Sequence, residues 1–562
     1  GIKKSRTTHN LDGYFLSNRS MHWGLILLSI IGTQASAITF LSAPGQAYTD
    51  GMRFVQYYFG LPIAMVVICI TFVPLFNRLK VYTAYEFLEK RFDNKTRTFT
   101  SALFLLQRGL STGISIYAPS IILSSLFGWD IFWTNIVMGG FLIIYTVAGG
   151  AKAVAYTQQL QLIIIFAGMF LAGYFVVKMM PENIGFMDAL HVSGQLGKLN
   201  VITTGQTESG FNWNDRYNIW SGMIGGFFLM LSYFGTDQSQ VGRYLTAQNN
   251  RESRLGLLMN GLVKIPMQFL ILLIGVLVFS FYQFNAAPIS FNSGLVSDVE
   301  ASTYKDSSKL LQQKWDSISV LKQTKSKAYL QAVKNGSEDS IALLSTELQQ
   351  VNKKGEEYRT TFSNWGSKVS KKDKNDANYI FLSFVKQYLP AGLKGLLIAI
   401  IFLAAWGSIA AALNSLAAST VVDFHQRIGN RNITGNEYTV SKWYTLGWGV
   451  FCVIIAQFSN GLGNSLIEAV NILGSLFYGV ILGIFLLAFY VKKVGGTAAF
   501  WAAVLVECFI VILFFNQYIP ALSFFPEVSF LWLNAIGAIG VVLIGILIQT
   551  FVKRKEDIVP IP

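Results

Sequence analysis

The chain has 562 residues, 52% of them hydrophobic and only 13% charged, with 44 Phe and 50 Gly. This composition excludes an ordinary soluble enzyme and fits a polytopic membrane protein. The formal net charge of +14 is read as a topology signal and as attraction to an anionic leaflet, with no nucleic acid among the partners.

Residues 1–21 carry Lys3, Lys4, Arg6 and Arg19 and read as a cytoplasmic N-terminal segment. Gly1-Ile2-Lys3-Lys4 resembles the basic end of a preceding span, so a thirteenth helix ahead of the chain is one expectation. A cytoplasmic N-terminus with twelve helices is the other. Apolar stretches follow near 22–45, 53–77, 99–127, 131–149, 153–180, 218–242, 255–284, 391–422, 442–459, 466–491, 496–516 and 529–552. Most exceed the roughly 20 residues that cross a bilayer as a helix. The short connections alternate. One set holds Arg78, Lys80, Lys90, Arg91, Lys95 and Arg97, then Arg243, Arg251 and Arg254, then Arg427, Arg431 and Lys442, then Lys492 and Lys493, then Lys553, Arg554 and Lys555. The other set, near 46–52, 128–130, 460–465 and 517–527, has neither Lys nor Arg. The positive-inside rule places the basic set in the cytoplasm, and one parity fits every loop.

The spans group as 22–285 and 379–552, with 553–562 as a cytoplasmic tail. Between the groups, residues 286–378 are polar and fall outside the membrane by the same parity; long loops escape the charge rule. Two apolar stripes mark helices there. One is Leu310, Leu311, Trp315, Ile318 and Leu321; the other is Ile341, Leu344, Leu348 and Val351. Asn335-Gly336 reads as the turn and Ser337 as the next N-cap, with Glu338 and Asp339 in the first turn. The expectation is an external antiparallel hairpin over 302–362. It buries too little surface to stand alone, so the protein's own outer face, a second copy or a partner protein must cover it. A partly disordered linker is the alternative.

Cys69, Cys452 and Cys508 all fall in apolar spans. They make neither a disulfide framework nor a metal site and read as small buried residues. Polar residues inside the membrane carry more information, because their burial is unfavourable. The first span contains Gly32-Thr33-Gln34-Ala35-Ser36 and Thr39. This cluster predicts an unwound helix between Gly32 and Ser36, with free carbonyls for a cation and a half-helix end for a solute. The eighth span contains Gly407-Ser408 among alanines, which permits close helix approach. Asp237 and Glu468 are intramembrane acids. Asp237 is expected to pair with Arg243 or Lys264, or to titrate in a proton relay. No nucleophile–base, metal-ligand or phosphate-loop pattern stands out, and the chain does not read as an enzyme.

Several motifs resemble the sodium/solute symporter family in the right order. They are Asp12-Gly13-Tyr14-Phe15-Leu16-Ser17-Asn18-Arg19-Ser20, Thr83-Ala84-Tyr85-Glu86-Phe87-Leu88-Glu89-Lys90-Arg91-Phe92, Tyr145-Thr146-Val147-Ala148-Gly149-Gly150 and Gly235-Thr236-Asp237-Gln238-Ser239-Gln240-Val241-Gly242-Arg243. Asn414-Ser415 closes the eighth span, and Thr112 to Pro119 is similar to the iodide, monocarboxylate and multivitamin branch. The resemblance implies an all-α membrane protein of LeuT type. Its five-plus-five inverted repeat would cover 22–180 and 218–459, with accessory helices beyond 466 and the hairpin outside.

The resemblance also implies site residues. The family's sodium site maps onto Gly32, Ala35, Ala404, Gly407 and Ser408; Gly407 stands where a serine hydroxyl is usual, which weakens the site. A second sodium site found in some members maps onto Gln158, Ala410 and Ala411, where the acid and both hydroxyls are gone. No second site is expected, and Gln158 is read as a packing residue. Sugar-binding positions are mostly lost: Thr39, Tyr58, Met230 and Val470 replace polar groups, and Lys264 alone survives. The substrate set is therefore Ser36, Thr39, Gln56, Tyr57, Tyr58, Arg108, Ser111, Tyr233, Gln238 and Lys264. It suits a solute smaller or more aromatic than a sugar. The leading function is a solute:sodium symporter of the plasma membrane (the inner membrane in a bacterium), importing a small organic solute. Sodium is the one ion implied, and no organic cofactor is. Two alternatives are a proton-coupled or ion-independent transporter, and a transporter-derived scaffold or sensor whose hairpin binds a partner.

Overall fold

A computed structural model describes residues 19–370, 375–428, 437–459, 465–516 and 525–552, with Leu16, Lys372 and Ile519. For 148–157 it gives the backbone alone. The N-terminal motif at 12–18 (Leu16 apart), Arg431 and the tail 553–562 lie outside the described residues. Among those described, nine helices are long and apolar enough to cross a membrane, and three shorter apolar helices accompany them.

The first apolar stretch is not one helix. Helix α1 (Trp23–Gln34) stops, and α2 (Ala37–Asp50) restarts two residues later. The break falls at Ala35 (φ −81°, ψ 86°) and Ser36 (φ −88°, ψ 176°), inside the segment that the Gly and hydroxyl cluster predicts. A 3₁₀ helix (Gly51–Tyr58) leads to α3 (Leu61–Ile70) and α4 (Phe72–Leu79). Short α5 (Glu86–Arg91) precedes α6 (Asn94–Phe127).

The helical backbone then runs unbroken from Ile131 to Lys178, as α7. The separate stretches expected at 131–149 and 153–180 therefore share one helical backbone. Its two ends have different neighbours. In its first part Asn135 bonds Ala456 and Gly139 meets Val453. In its second part Gln158 bonds Gly407 and Gly168 meets Ile400. The helices bearing these partners are antiparallel, since Trp448 bonds Thr420 and Tyr444 bonds His425. The two parts of α7 thus pack against different helices.

A second break, which the sequence reading did not anticipate, divides the sixth stretch. Helix α9 (Gly226–Gly235) follows α8 (Phe186–Gln195) and ends at Thr236 (φ −129°). Asp237 then caps α10 (Gln238–Tyr244), accepting from Ser239 N. Asp is a good N-cap because its carboxylate meets an otherwise unpaired backbone N–H. The remaining core helices are α11 (Asn250–Phe284), α12 (Ser293–Glu300), α13 (Lys305–Asn335), α14 (Glu338–Val369), α15 (Ala377–Tyr388), α16 (Ala391–Ser419), α17 (Glu437–Gln457), α18 (Leu466–Tyr490), α19 (Gly496–Phe515) and α20 (Phe530–Phe551). Cys69 and Cys452 are buried, whereas Cys508 is exposed on α19, contrary to expectation.

The insertion forms a helical hairpin of α13 and α14. Gly336 closes α13 in the left-handed region (φ 67°) and Ser337 is the N-cap of α14. The Ser337 hydroxyl bonds Ser340 at 2.9 Å rather than a backbone N–H. Leu311, Trp315, Ile318, Leu348 and Val351 are buried, while Leu310 and Leu321 are exposed. The body of the protein covers the buried stripe. Trp315 Nε1 donates to Ala287 O at 2.7 Å. Arg359 donates to Pro288 O at 3.0 Å and lies over the rings of Trp315, Phe291 and Tyr48. Tyr48 belongs to α2, so the hairpin touches the broken helix directly.

Candidate functional site

The first break borders a small cavity of about 100 Å³, to which α9, ahead of the second break, adds Leu229, Met230 and Tyr233. It is far below the roughly 300–1,000 Å³ of a drug-sized pocket. Ser36, Thr39, Tyr57, Tyr58, Arg108 and Tyr233 line it, as do Gln34, Gln107, Asn471 and Tyr478, which sequence reasoning had not singled out. Asn471 accepts from Tyr57 OH at 3.0 Å, and Gln107 donates to Ser111 Oγ at 3.0 Å. A polar residue one turn from an expected ligand on the same helix, as Gln107 is from Ser111, was the signal available. A wider groove of about 330 Å³ is lined by apolar side chains, Phe166, Phe170, Met267 and Leu270 among them. Its surface suits acyl chains rather than a polar solute.

Four expected solute ligands stand elsewhere. Ser111 is buried beside Gln107 without lining the cavity. Gln56 spends its amide on structure: Nε2 donates to Thr203 Oγ1 at 3.0 Å and Tyr217 O at 3.1 Å, and Oε1 accepts from Thr203 N. Gln238 clamps the loop before α5, accepting from Ala84 N at 3.0 Å and donating to Tyr82 O at 2.7 Å. Lys264 sits behind the cavity wall, its ammonium 5.1 Å over the Tyr58 ring. Its Nζ has no hydrogen-bond partner among the described residues, and neither do the amides of Asn260 and Gln268 one turn away on each side.

Arg108 is the one cationic side chain in the cavity lining. It donates to Ser239 Oγ, and its Nη1 lies 3.9 Å from Asp237 Oδ2. Its Nε has no hydrogen-bond partner among the described residues. Asp237 pairs with neither Arg243 nor Lys264, against expectation. It accepts from Tyr478 OH at 2.6 Å and Ser239 Oγ at 2.6 Å. The break at Thr236 turns the carboxylate inward, toward α6 and α18 and away from the two expected bases. Glu468 at the start of α18 pairs with Arg216.

The candidate cation ligands divide between the end of α1 (Gly32, Ala35) and the middle of α16 (Ala404, Gly407, Ser408), helices that pack together. Helix ends leave their last carbonyls without intrahelical partners. The Ser408 hydroxyl lies 3.0 Å from Ala404 O and 3.2 Å from Ala405 O. Gln158 from α7 fills the space between: a Cβ on Gly32 would lie 3.0 Å from its side chain. A Cβ on Gly407 would lie 2.8 Å from Gln161 Oε1. A side chain at 407 therefore requires the flexible end of Gln161 to shift a little.

Broken first and sixth spans meeting at a buried polar cavity define a LeuT-type transporter architecture. A solved structure described as the substrate-bound outward-open state of a Na+-coupled sialic acid symporter shares the fold. Its TM-score is 0.72 at 21% identity, covering 98% of this chain and 94% of that one. The model of the sodium:solute symporter family matches residues 14–301 and 358–505. The chain belongs to that family, whose members are transporters, and most of the hairpin lies outside the family pattern. The human (Homo sapiens) sodium/iodide cotransporter is 30% identical over 257 residues, 44% of this chain and 38% of that protein. The sodium-dependent multivitamin transporter of Oryctolagus cuniculus is 30% identical over 284 residues, 49% of this chain and 42% of that protein. Human sodium-coupled monocarboxylate transporter 1 is 30% identical over 249 residues, 44% and 39% respectively. The chain thus spans about two fifths of the length of the curated relatives it matches.

Proposed function

We propose that this protein imports a small organic anion across the plasma membrane together with sodium. The observation that carries this is the cavity's single cationic side chain, Arg108, with a free donor at Nε. A guanidinium in a desolvated site favours a planar carboxylate, which accepts from two of its donors. The size of the cavity limits the solute to a few heavy atoms. Relatives named for iodide and for monocarboxylates handle anions. Arg108 crosses from the α6 side toward Asp237, so a solute carboxylate competes with Asp237 for the same cation. The positive-inside rule puts the basic loops in the cytoplasm and the hairpin outside, and an inward sodium gradient would drive import. Sodium binds between Gly32, Ala35, Ala404 and Ser408. With the purified protein in proteoliposomes and a panel of radiolabelled short monocarboxylates, uptake is expected to require inward sodium. Equal uptake with sodium, potassium or choline outside would remove sodium from the reading.

A second reading, a scaffold whose hairpin docks a partner protein, has one observation in its favour. Val320, Leu321, Leu343 and Leu310 remain exposed on the hairpin. Deleting 302–362 separates the two. If the hairpin is a lid acting through Arg359 on Tyr48, the deletion quickens uptake and broadens the range of solutes accepted, with no change in co-purifying protein. Loss of a stoichiometric subunit on deletion would support the scaffold instead. Unchanged uptake and unchanged partners would dismiss both roles.

A further inference from the structure

We propose that the apolar groove between α7 and α11 holds one acyl chain of an outer-leaflet phospholipid, with the lipid phosphate on Lys178, and that this chain braces the outer half of the broken helix at Phe40. The inference rests on the transport reading above for its meaning in solute binding, though not for its test.

The groove encloses about 330 Å³. Phe166, Phe170 and Tyr174 of α7 form one wall, and Met267, Leu270 and Ile274 of α11 form the other. Gly173 also lines it and offers no side chain to fill it. A Cβ there would stand 3.5 Å from Ile274 Cγ1, in ordinary van der Waals contact. The space beyond that point is open to atoms from outside the chain. Phe170 and Tyr174 are largely exposed at the mouth, whereas Phe40 of α2 is fully buried at the floor. Exposed apolar side chains grouped around a cleft on a spanning helix pair mark a surface that meets hydrocarbon.

One end of the groove carries a cation. Lys178 closes α7 and is exposed. Its ammonium lies 6.0 Å from the centre of the Tyr174 ring, which lines the groove, and 5.6 Å from that of Phe175. The parity of the basic loops makes this the outer end of the span, and a lysine beside a tyrosine there sits at headgroup depth. A phospholipid ties an anion to an acyl chain, which matches a cation at the rim of an apolar groove. A sterol would fill the groove and leave Lys178 without an anion. The groove also reaches the solute cavity through one helix. Thr39 lines that cavity and Phe40, the next residue, lines the groove. Helix α2 is therefore the wall between them. An acyl chain against Phe40 supports α2 from behind, so lipid occupancy and solute binding bias the same element.

The test uses the purified full chain in phosphatidylcholine vesicles that contain a phosphatidylglycerol with a photoactivatable diazirine at the end of one acyl chain. Cross-links are mapped by mass spectrometry. Labelling is expected on Phe40, Met267 or Ile271, the buried part of the lining. Gly173→Leu plugs the groove and is expected to abolish that labelling, while labelling of the exposed Leu543 and Leu547 on α20 stays as in wild type. Lys178→Gln alters only an exposed side chain, so it decides the matter even if Gly173→Leu does not fold. It should lower groove labelling by phosphatidylglycerol about fivefold, the share of membrane-surface affinity that one lysine supplies. Thermal unfolding in detergent, with dioleoyl phosphatidylglycerol added stepwise, reads the brace. The lipid should raise the unfolding temperature of wild type and raise that of Gly173→Leu less. Equal labelling of the buried residues in wild type and Gly173→Leu would overturn the groove as the site. Unchanged labelling in Lys178→Gln would overturn the phospholipid in favour of an acyl chain held without its phosphate. No stabilisation of wild type by the lipid would overturn the brace. Absence of solute uptake would count against the transport reading alone, because neither measurement requires transport.

Discussion

Arg108→Gln is expected to reduce solute uptake about a hundredfold while the protein stays folded. A charge-assisted hydrogen bond contributes roughly 1.5–3 kcal/mol, and tenfold in affinity corresponds to about 1.4 kcal/mol. A guanidinium that offers two such bonds to a carboxylate in a closed cavity supplies about 3 kcal/mol or more on that scale. Folding should survive, because Asp237 keeps the hydroxyls of Tyr478 and Ser239 and the backbone N–H of Ser239. Arg108→Lys keeps the charge and loses the planar fork, so it should fall between wild type and Arg108→Gln. The measurement is concentration-dependent uptake in proteoliposomes beside a thermal unfolding curve for each variant. Uptake by Arg108→Gln within twofold of wild type would show that Arg108 only supports Asp237. The solute would then not be recognised as an anion through this side chain.

The membrane spans, the break in the first helix and the hairpin were all legible in the sequence for the same reason. Each is a local consequence of which groups can be left without water. Apolar length, a Gly and hydroxyl cluster, and two stripes flanking Asn335-Gly336 need no knowledge of the partner. What stayed hidden depended on which helices meet. Gln56 and Gln238 look like solute ligands because they are polar and intramembrane, yet backbone groups of other segments consume both amides. Lys264 is one wall too far back, behind Tyr58. The second break at Thr236 was visible in principle, since Gly235 ends one helix and Asp237 caps the next. Gln158 reads as packing in the sequence because its hydrogen bonds to Ser29, Thr33 and Gly407 form only when three helices meet.

The largest stability effect is expected at the end of the molecule opposite the hairpin, from Asp423→Ala. Arg97 at the start of α6 is 1% exposed, and Asp423, just past α16, is equally buried. Arg97 donates to Asp423 Oδ1 through Nε at 2.9 Å and Nη2 at 2.6 Å, and to Val422 O at 3.0 Å. Thr83 Oγ1 and Ser101 Oγ complete the carboxylate at 2.8 and 3.0 Å. Glu89 takes the other side of the guanidinium and also meets Arg427 at 3.1 Å. This network joins the loop before α5, the start of α6 and the end of α16. Its members come from both halves of the fold. Removing one partner of a buried pair strands the other and costs about 3–5 kcal/mol. Asp423→Ala should therefore lower the unfolding temperature sharply or prevent recovery of folded protein. Asp423→Asn, which keeps the shape and one acceptor, should do less harm. The decisive variant is the double change Asp423→Ala with Arg97→Met. It removes the stranded charge together with its lost partner, so it should be more stable than Asp423→Ala alone. If the double variant is no more stable than the single one, the damage comes from the cavity left near α16. The ion pair would then not be what holds this end of the two halves together.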